Sequence, residues 1–212
     1  MADAEKIYTF RDPTRLTRMT IWSIYALLAI EVISAISVSY DLHVLQLGVI
    51  SDSDQIRQGV IVLLDFPALL VAGVLTLVWI FRSCVNAHAL TSGAMEFTPG
   101  WAVGWNFIPI ASLWKPFQAV REIWNVSRGV EGSTESTPTF MRFWWGLWLT
   151  GNFAAQISFR LTGVSGAQTM ASSAFDLIEK VANVGACVLL IMLIRQVATW
   201  QESAGRAESV FA

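Results

Sequence analysis

Two carboxylates stand alone inside long apolar stretches and are the first residues to consider for chemistry. Glu31 is the only charged residue in 19–40, and Asp65 is the only one in 59–81. A carboxylate deep in an apolar phase costs on the order of 3 kcal/mol, so each should face protein or water. If the two stretches form antiparallel helices, the carboxylates differ in depth by roughly one helical turn. Such a pair could hold a proton or a cation.

The alternative for both carboxylates is a structural role, with hydrogen bonds to the amides of Asn152, Gln156 or Asn183. Asn152 and Gln156 are spaced i, i+4 and share one face of a helix. Amides of this kind hold membrane helices together by roughly 0.6 to 2 kcal/mol each. For Asn152 and Gln156 we therefore favour helix packing over a substrate contact.

The composition explains why isolated charges lie in apolar surroundings. Of 212 residues, 54% are hydrophobic and only 14% are charged, and the mean hydropathy is +0.53. Soluble domains are about 25% charged, so the sequence predicts an all-α integral membrane protein. The formal net charge of −2 excludes a basic nucleic-acid binder, and no nucleic-acid partner is expected.

Helices must carry these residues across the bilayer. Four apolar stretches are long enough to cross a hydrocarbon core of about 30 Å as helices. They are residues 19–40, 59–81, 143–159 and 181–200. A fifth stretch, 101–113, is short for a crossing and suits a re-entrant or interfacial segment. We predict a single membrane domain over residues 1–212, with four transmembrane helices.

The distribution of Lys and Arg predicts the orientation. The arm before the first span carries Lys6, Arg11, Arg15 and Arg18, which places the N-terminus in the cytoplasm by the positive-inside rule. If 101–113 does not cross, all other Lys and Arg lie inside except Arg57, Arg160 and Lys180. Both termini are then cytoplasmic.

Residues that often bind metals do not form a complete site. His43 and His88 fall on opposite sides of the membrane in this topology, and His88 with Cys84 supplies only two ligands at i, i+4. The chain has no hydrolase triad, phosphate loop or dinucleotide fingerprint. We expect no enzymatic activity, no cofactor and no metal site.

The stretch around 101–113 is punctuated by Pro and Trp. Pro99 can start a helix, and Pro109 would break one after roughly two turns. Backbone groups freed at Pro109 need protein or water as partners, since lipid offers none. Gly100 and Gly104 would let another helix approach closely. These features predict a short helix that dips into the bilayer, breaks and returns.

Residues 116–128 predict an amphipathic helix in the cytoplasmic interface, with Trp124 at headgroup depth. Basic side chains nearby are candidate contacts for anionic lipid headgroups, each contributing about 1 kcal/mol. They are Arg82, Lys115, Arg121 and Arg128. Simple positive-inside anchoring is the alternative for all four.

At these residues the chain resembles a bacterial membrane-protein family, the domain of unknown function 4328. Members look like small multi-span proteins with an Arg-x-x-x-Asn element after a span, followed by a motif rich in Pro and Trp. The matching residues are Arg82, Asn86, Phe97, Pro99, Gly100, Trp101, Gly104, Trp105, Pro109, Leu113, Trp114, Lys115, Pro116, Gln118, Glu122 and Trp124. The resemblance implies a location in the bacterial inner membrane and no established chemistry. The polar residues within the spans depart from the usual pattern of the family.

Together these features favour a structural or interaction protein that serves as an accessory component of a membrane assembly. The expected partners are the lipid bilayer and either further copies of the chain or a larger membrane complex. Two alternatives stay open. One is a small oligomeric proton or cation transporter or channel that uses Glu31 and Asp65, and the other is a lipid-binding protein of the cytoplasmic leaflet.

Overall fold

The computed structural model describes residues 8–47, 52–91, 93–129, 137–165 and 168–211. Within these ranges the regular elements are all helical, so the predicted all-α class is confirmed. The α-helices are α1 (Thr14–Leu47), α2 (Asp52–Leu90), α3 (Pro99–Gly104), α4 (Lys115–Ser127), α5 (Thr139–Ser165) and α6 (Met170–Phe211). Two short 3-10 helices, Trp105–Phe107 and Ala111–Leu113, lie between α3 and α4.

In the described part of the chain, three helices are long and apolar enough to cross a membrane. They are Thr14–Leu47, Ile56–Leu90 and Met170–Arg206. These helices contain the predicted spans 19–40, 59–81 and 181–200 and continue beyond both ends of each. The remaining predicted span, 143–159, lies inside α5. That helix is not among the three, and its several Trp residues and two amides make it less apolar.

Contacts divide the chain into two compact units. The first, which we call the motif unit, comprises Met1–Ile21, Gly73–Thr137 and Met192–Ala212. The second, the four-helix unit, comprises Trp22–Ala72 and Pro138–Ile191 and contains parts of α1, α2, α5 and α6.

An ion pair and hydrogen bonds made by Arg57 join α1 to α2 in the four-helix unit. The guanidinium of Arg57 on α2 donates to the Asp41 carboxylate and to the Ser37 hydroxyl on α1. It also lies 3.3 Å from Asp54 Oδ1 and 5.0 Å from the centre of the Tyr40 ring. Because Arg presents several donors in a rigid fork, one side chain can fix both sides of this hairpin.

Glycines set the spacing of α5 and α6 in the same unit. A Cβ added to Gly151 on α5 would lie 2.5 Å from Asn183 Oδ1, and one added to Gly185 on α6 would lie 2.8 Å from Leu147 Cδ1. A Cβ on Gly146 would meet nothing within 4 Å. Small residues allow this close approach of two helices.

The motif unit contains the segment rich in Pro and Trp. α3 begins at Pro99 as predicted, and the first 3-10 helix ends at Phe107. Ile108 then has an extended backbone, with φ −100° and ψ 111°, immediately before Pro109. The predicted break at Pro109 is therefore confirmed, since a residue before proline is driven out of the helical region.

The amphipathic helix predicted at 116–128 is present as α4, but its surroundings differ from the prediction. Val120, Ile123 and Trp124 are buried inside the motif unit, and Trp124 is only 5% exposed. The Trp124 ring lies 4.6 Å from the ring of Trp200. Protein side chains therefore cover this face of α4, and the position of Trp124 at headgroup depth stays a prediction.

We expect Gly151→Ala to lower the free energy of unfolding by about 1–3 kcal/mol, since the added methyl group would displace Asn183. Gly146→Ala is the matched control on the same helix and should be neutral or stabilising by up to about 1 kcal/mol. Thermal unfolding in detergent, followed by circular dichroism, measures both. Equal effects of the two substitutions would contradict the close approach of α5 and α6.

Candidate functional site

A buried ion cluster lies in the four-helix unit, where α1, α2 and α6 each contribute a charged side chain. Lys180 Nζ lies 3.3 Å from Glu31 Oε2, 2.9 Å from Asp65 Oδ2 and 3.4 Å from Glu179 Oε1. The Glu31 side chain is 3% exposed and that of Lys180 is 12% exposed. The structure therefore brings Glu31 and Asp65 to one site, as their positions in the sequence predict, with Lys180 between them.

Asn183 completes the cluster from α6. Its Nδ2 atom donates to Glu31 Oε1 at 3.1 Å and to Glu179 Oε1 at 3.3 Å. Of the three amides that the sequence offers as partners for the carboxylates, Asn183 is the one that bonds to Glu31. This contact matches the structural alternative for Glu31.

The charges of the cluster do not balance. One ammonium, on Lys180, faces three carboxylates, those of Glu31, Asp65 and Glu179. In addition, Asp65 Oδ1 is buried and accepts no hydrogen bond from the described residues. The cluster therefore carries an excess of negative charge, which a proton on one carboxylate would offset.

Lys180 and Glu179 are the site residues that sequence reasoning missed. Both stand immediately before the apolar stretch 181–200, and a charged pair there looks like the end of a span. Because α6 begins at Met170, both residues lie well inside the helix. The sequence did contain a signal for Lys180. It is a positive charge beside one span, while two other spans each carry a single carboxylate, Glu31 or Asp65.

Asn152 and Gln156 do not reach the cluster. Both are exposed, whereas Ala154 and Ser158 occupy the buried side of α5. Asn152 Nδ2 donates to the Trp148 carbonyl of its own helix at 2.8 Å. Gln156 makes no hydrogen bond with any residue that the structure describes. Within the chain these amides make no hydrogen bond to another helix among the described residues, so their role in helix packing stays a prediction.

Asn86, a residue of the Arg-x-x-x-Asn element, ties the N-terminal arm into the motif unit. Asn86 Nδ2 donates to the Arg11 carbonyl at 2.9 Å and to Gln201 Oε1 at 3.2 Å, and Asn86 Oδ1 accepts from the Arg11 amide at 3.1 Å. Gln201 Nε2 donates in turn to the Ser83 carbonyl at 3.0 Å and to Ser127 Oγ at 2.9 Å. Both amide side chains are fully buried and fully bonded, which indicates a scaffold role.

Glu122 plays a similar part for the turn before α3. Its carboxylate accepts from the backbone amides of Glu96 at 2.5 Å and Phe97 at 3.0 Å. Lys115 lies 3.4 Å from Glu96 Oε1 and 5.1 Å from the centre of the Phe97 ring. Lys115 is therefore already engaged within the protein.

Cys84 and His88 share a backbone partner in the motif unit. Cys84 Sγ donates to the Phe97 carbonyl at 3.5 Å, and His88 Nε2 lies 3.0 Å from the same oxygen. The His88 ring also stacks on Tyr8, with the ring centres 4.5 Å apart. These contacts give both residues a role in packing.

The other candidate headgroup contacts differ in exposure. Arg82 and Arg121 are half-buried, and Arg128 is exposed. Their contact with lipid stays a prediction. Two Trp residues of the same unit are open to the surroundings, Trp101 at 52% and Trp114 at 45% exposure.

We expect Lys180→Met to destabilise the protein by about 3–5 kcal/mol, because buried Glu31 and half-buried Asp65 and Glu179 would lose their shared cation. Lys115→Met is the matched control, since its pair with exposed Glu96 should contribute at most about 1 kcal/mol. Thermal unfolding in the same detergent compares the two. Equal losses would show that the cluster does not depend on Lys180.

The chain matches one known protein family. A model described as a domain of unknown function (DUF4328) matches residues 42–199, which is most of the chain. The matched range includes the segment rich in Pro and Trp, Asp65 and Lys180, whereas Glu31 precedes it. No curated protein and no solved structure matches the chain.

Proposed function

The chain belongs to the DUF4328 family, and on this premise we propose that it is a small multi-span membrane protein of structural or interaction type. It serves as an accessory component of a membrane assembly in the bacterial inner membrane and has no enzymatic activity of its own. Its partner is a second protein surface in the bilayer, either another copy of the chain or a different subunit.

A fourth span and a re-entrant segment belong to this proposal. α5 has 27 residues, which is enough length to cross a bilayer, and it carries no charge between Arg142 and Arg160. Its outward side chains are large and apolar, with Phe143 64% and Phe159 79% exposed. With four crossings the positive-inside rule puts both termini in the cytoplasm.

The stretch 101–113 enters the bilayer from the cytoplasmic side and does not cross it. Its outward side chains support this arrangement, since Phe107 and Ile110 on either side of the break at Pro109 are each 71% exposed. Such apolar side chains favour hydrocarbon over water.

The exposed amides of α5 carry the proposal for an interaction role. Asn152 and Gln156 lie within the proposed span and point away from the helices of their own unit. An unpaired amide in hydrocarbon is costly, because it loses the hydrogen bonds that it would make to water and lipid offers none in their place. An amide both donates and accepts, so this face suits a protein partner, and two copies of it can pair with each other.

We expect the double substitution Asn152→Leu with Gln156→Leu to weaken the association with the partner by about tenfold or more, because interhelical amide bonds are lost. Native mass spectrometry after gentle extraction from the membrane measures the fraction in complex. The exchange Asn152→Gln with Gln156→Asn keeps both amides and serves as the control. A complex of unchanged abundance in the Leu variant would overturn the interaction role of this face.

The ion cluster supports a second candidate, transport of a proton or a cation. The specific observation is the excess of carboxylates around Lys180, together with Asp65 Oδ1, which accepts no hydrogen bond within the described part of the chain. Ion sites within membranes commonly use such carboxylates.

For this candidate we expect proteoliposomes to show proton or Na⁺ flux that falls to the protein-free level in Glu31→Gln with Asp65→Asn. Glu202→Gln is the control, because Glu202 has no part in the cluster and lies 3.6 Å from the exposed Arg206 Nη2 and 3.3 Å from Thr14 Oγ1. Flux that survives the double substitution would exclude the carboxylate mechanism. If the wild-type protein shows no flux, transport is excluded and the interaction role is the candidate that remains.

A further inference from the structure

An open pocket of about 640 Å³ lies in the motif unit and has no part in the ion cluster or in the exposed face of α5. Its walls include the rings of Tyr8, Phe81 and Trp101, with Thr98 and Gly100 between them. The volume falls within the range of about 300–1,000 Å³ that is common for small-molecule sites.

We propose that this pocket holds an acyl chain of a membrane lipid. The walls are mainly aromatic and apolar, and two of the rings are open to the surroundings, with Phe81 44% and Trp101 52% exposed. Gly100 leaves room for the chain, since a Cβ added there would meet nothing within 4 Å. Hydrocarbon fits such walls because it buries apolar surface without losing hydrogen bonds.

The surface of α2 connects the pocket to the bilayer. Val74, Val78 and Phe81 follow each other at helical spacing on one side of α2 and are 58%, 47% and 44% exposed. They lie in Ile56–Leu90, one of the helices apolar enough to cross a membrane. The side chains of this stripe are apolar, so an acyl chain can follow them from the bilayer to the pocket.

The polar groups at the pocket suit the ester end of a lipid better than a peptide. Thr98 precedes α3, but its hydroxyl makes no capping bond to that helix. The Tyr8 ring stacks on His88, and its hydroxyl, which can donate a hydrogen bond, has no such bond to the residues that the structure describes. A peptide segment would bring a backbone donor and acceptor at every residue, and the walls offer few partners for them.

The inference does not rest on the proposed interaction face of α5. It requires α2 to lie in the bilayer, and it concerns only residues of the motif unit. A failure of the partner test on Asn152 and Gln156 would therefore leave this inference standing.

The test uses the full-length protein in vesicles of palmitoyl-oleoyl phosphatidylglycerol with a trace of phosphatidylcholine that carries a diazirine at the end of one acyl chain. After irradiation, mass spectrometry gives the adducts at Trp101 relative to those at Val188, an exposed residue of α6. We expect Gly100→Leu to lower this ratio about tenfold, because the new side chain fills the space of several methylenes. Gly73→Leu is the control, since a Cβ there also meets nothing within 4 Å but lies outside the pocket.

A second variant keeps the test decisive if Gly100→Leu does not fold. Trp101→Ala removes one wall, and the adducts at Phe81 should then fall severalfold relative to Val188, because the chain is no longer held against the opposite ring. An unchanged ratio in either folded variant would overturn the proposal. Adducts at Trp101 that are no more frequent than those at Val188 in the unsubstituted protein would overturn it as well.

Discussion

Charge compensation by Lys180 is the constraint on which the four-helix unit depends. A carboxylate in hydrocarbon needs a partner, and here α1 and α2 each bring one to the same ammonium on α6. Buried ion pairs seldom stabilise a protein more than apolar packing would, but breaking one is expensive. Glu31 and Asp65 can both reach Lys180 only when the three helices have this register, so the cluster favours one arrangement over others that bury as much apolar surface.

Local patterns in the sequence predicted the elements well. Apolar stretches placed the long helices, and Pro109 predicted the break in the segment that follows α3. The convergence of Glu31 and Asp65 also followed from their depths along antiparallel helices. These features depend on spacing within one segment or on simple geometry, and a single sequence contains that information.

Contacts between distant segments were not predictable in the same way. An amphipathic helix shows that one face is apolar, but protein and lipid cover such a face equally well, and Trp124 is covered by protein. Hydropathy predicts that a span ends at a charge such as Lys180, whereas α6 continues through this charge because it finds a carboxylate partner. Gln201 gave no local signal, since its bonds to Ser83 and Asn86 depend on the tertiary fold.

The bond between Asn86 and Gln201 joins residues that are 115 positions apart, and Asn86 also holds the backbone of Arg11. The motif unit is thus assembled from the first, middle and last parts of the chain. During synthesis α1 and α2 are made before α6. Asn86 therefore lacks its bond to Gln201 until the end of α6 has left the ribosome. Completion of the motif unit is therefore a late step of folding, and a chain cut short before Met192 would carry the segment rich in Pro and Trp without the side chains that cover it.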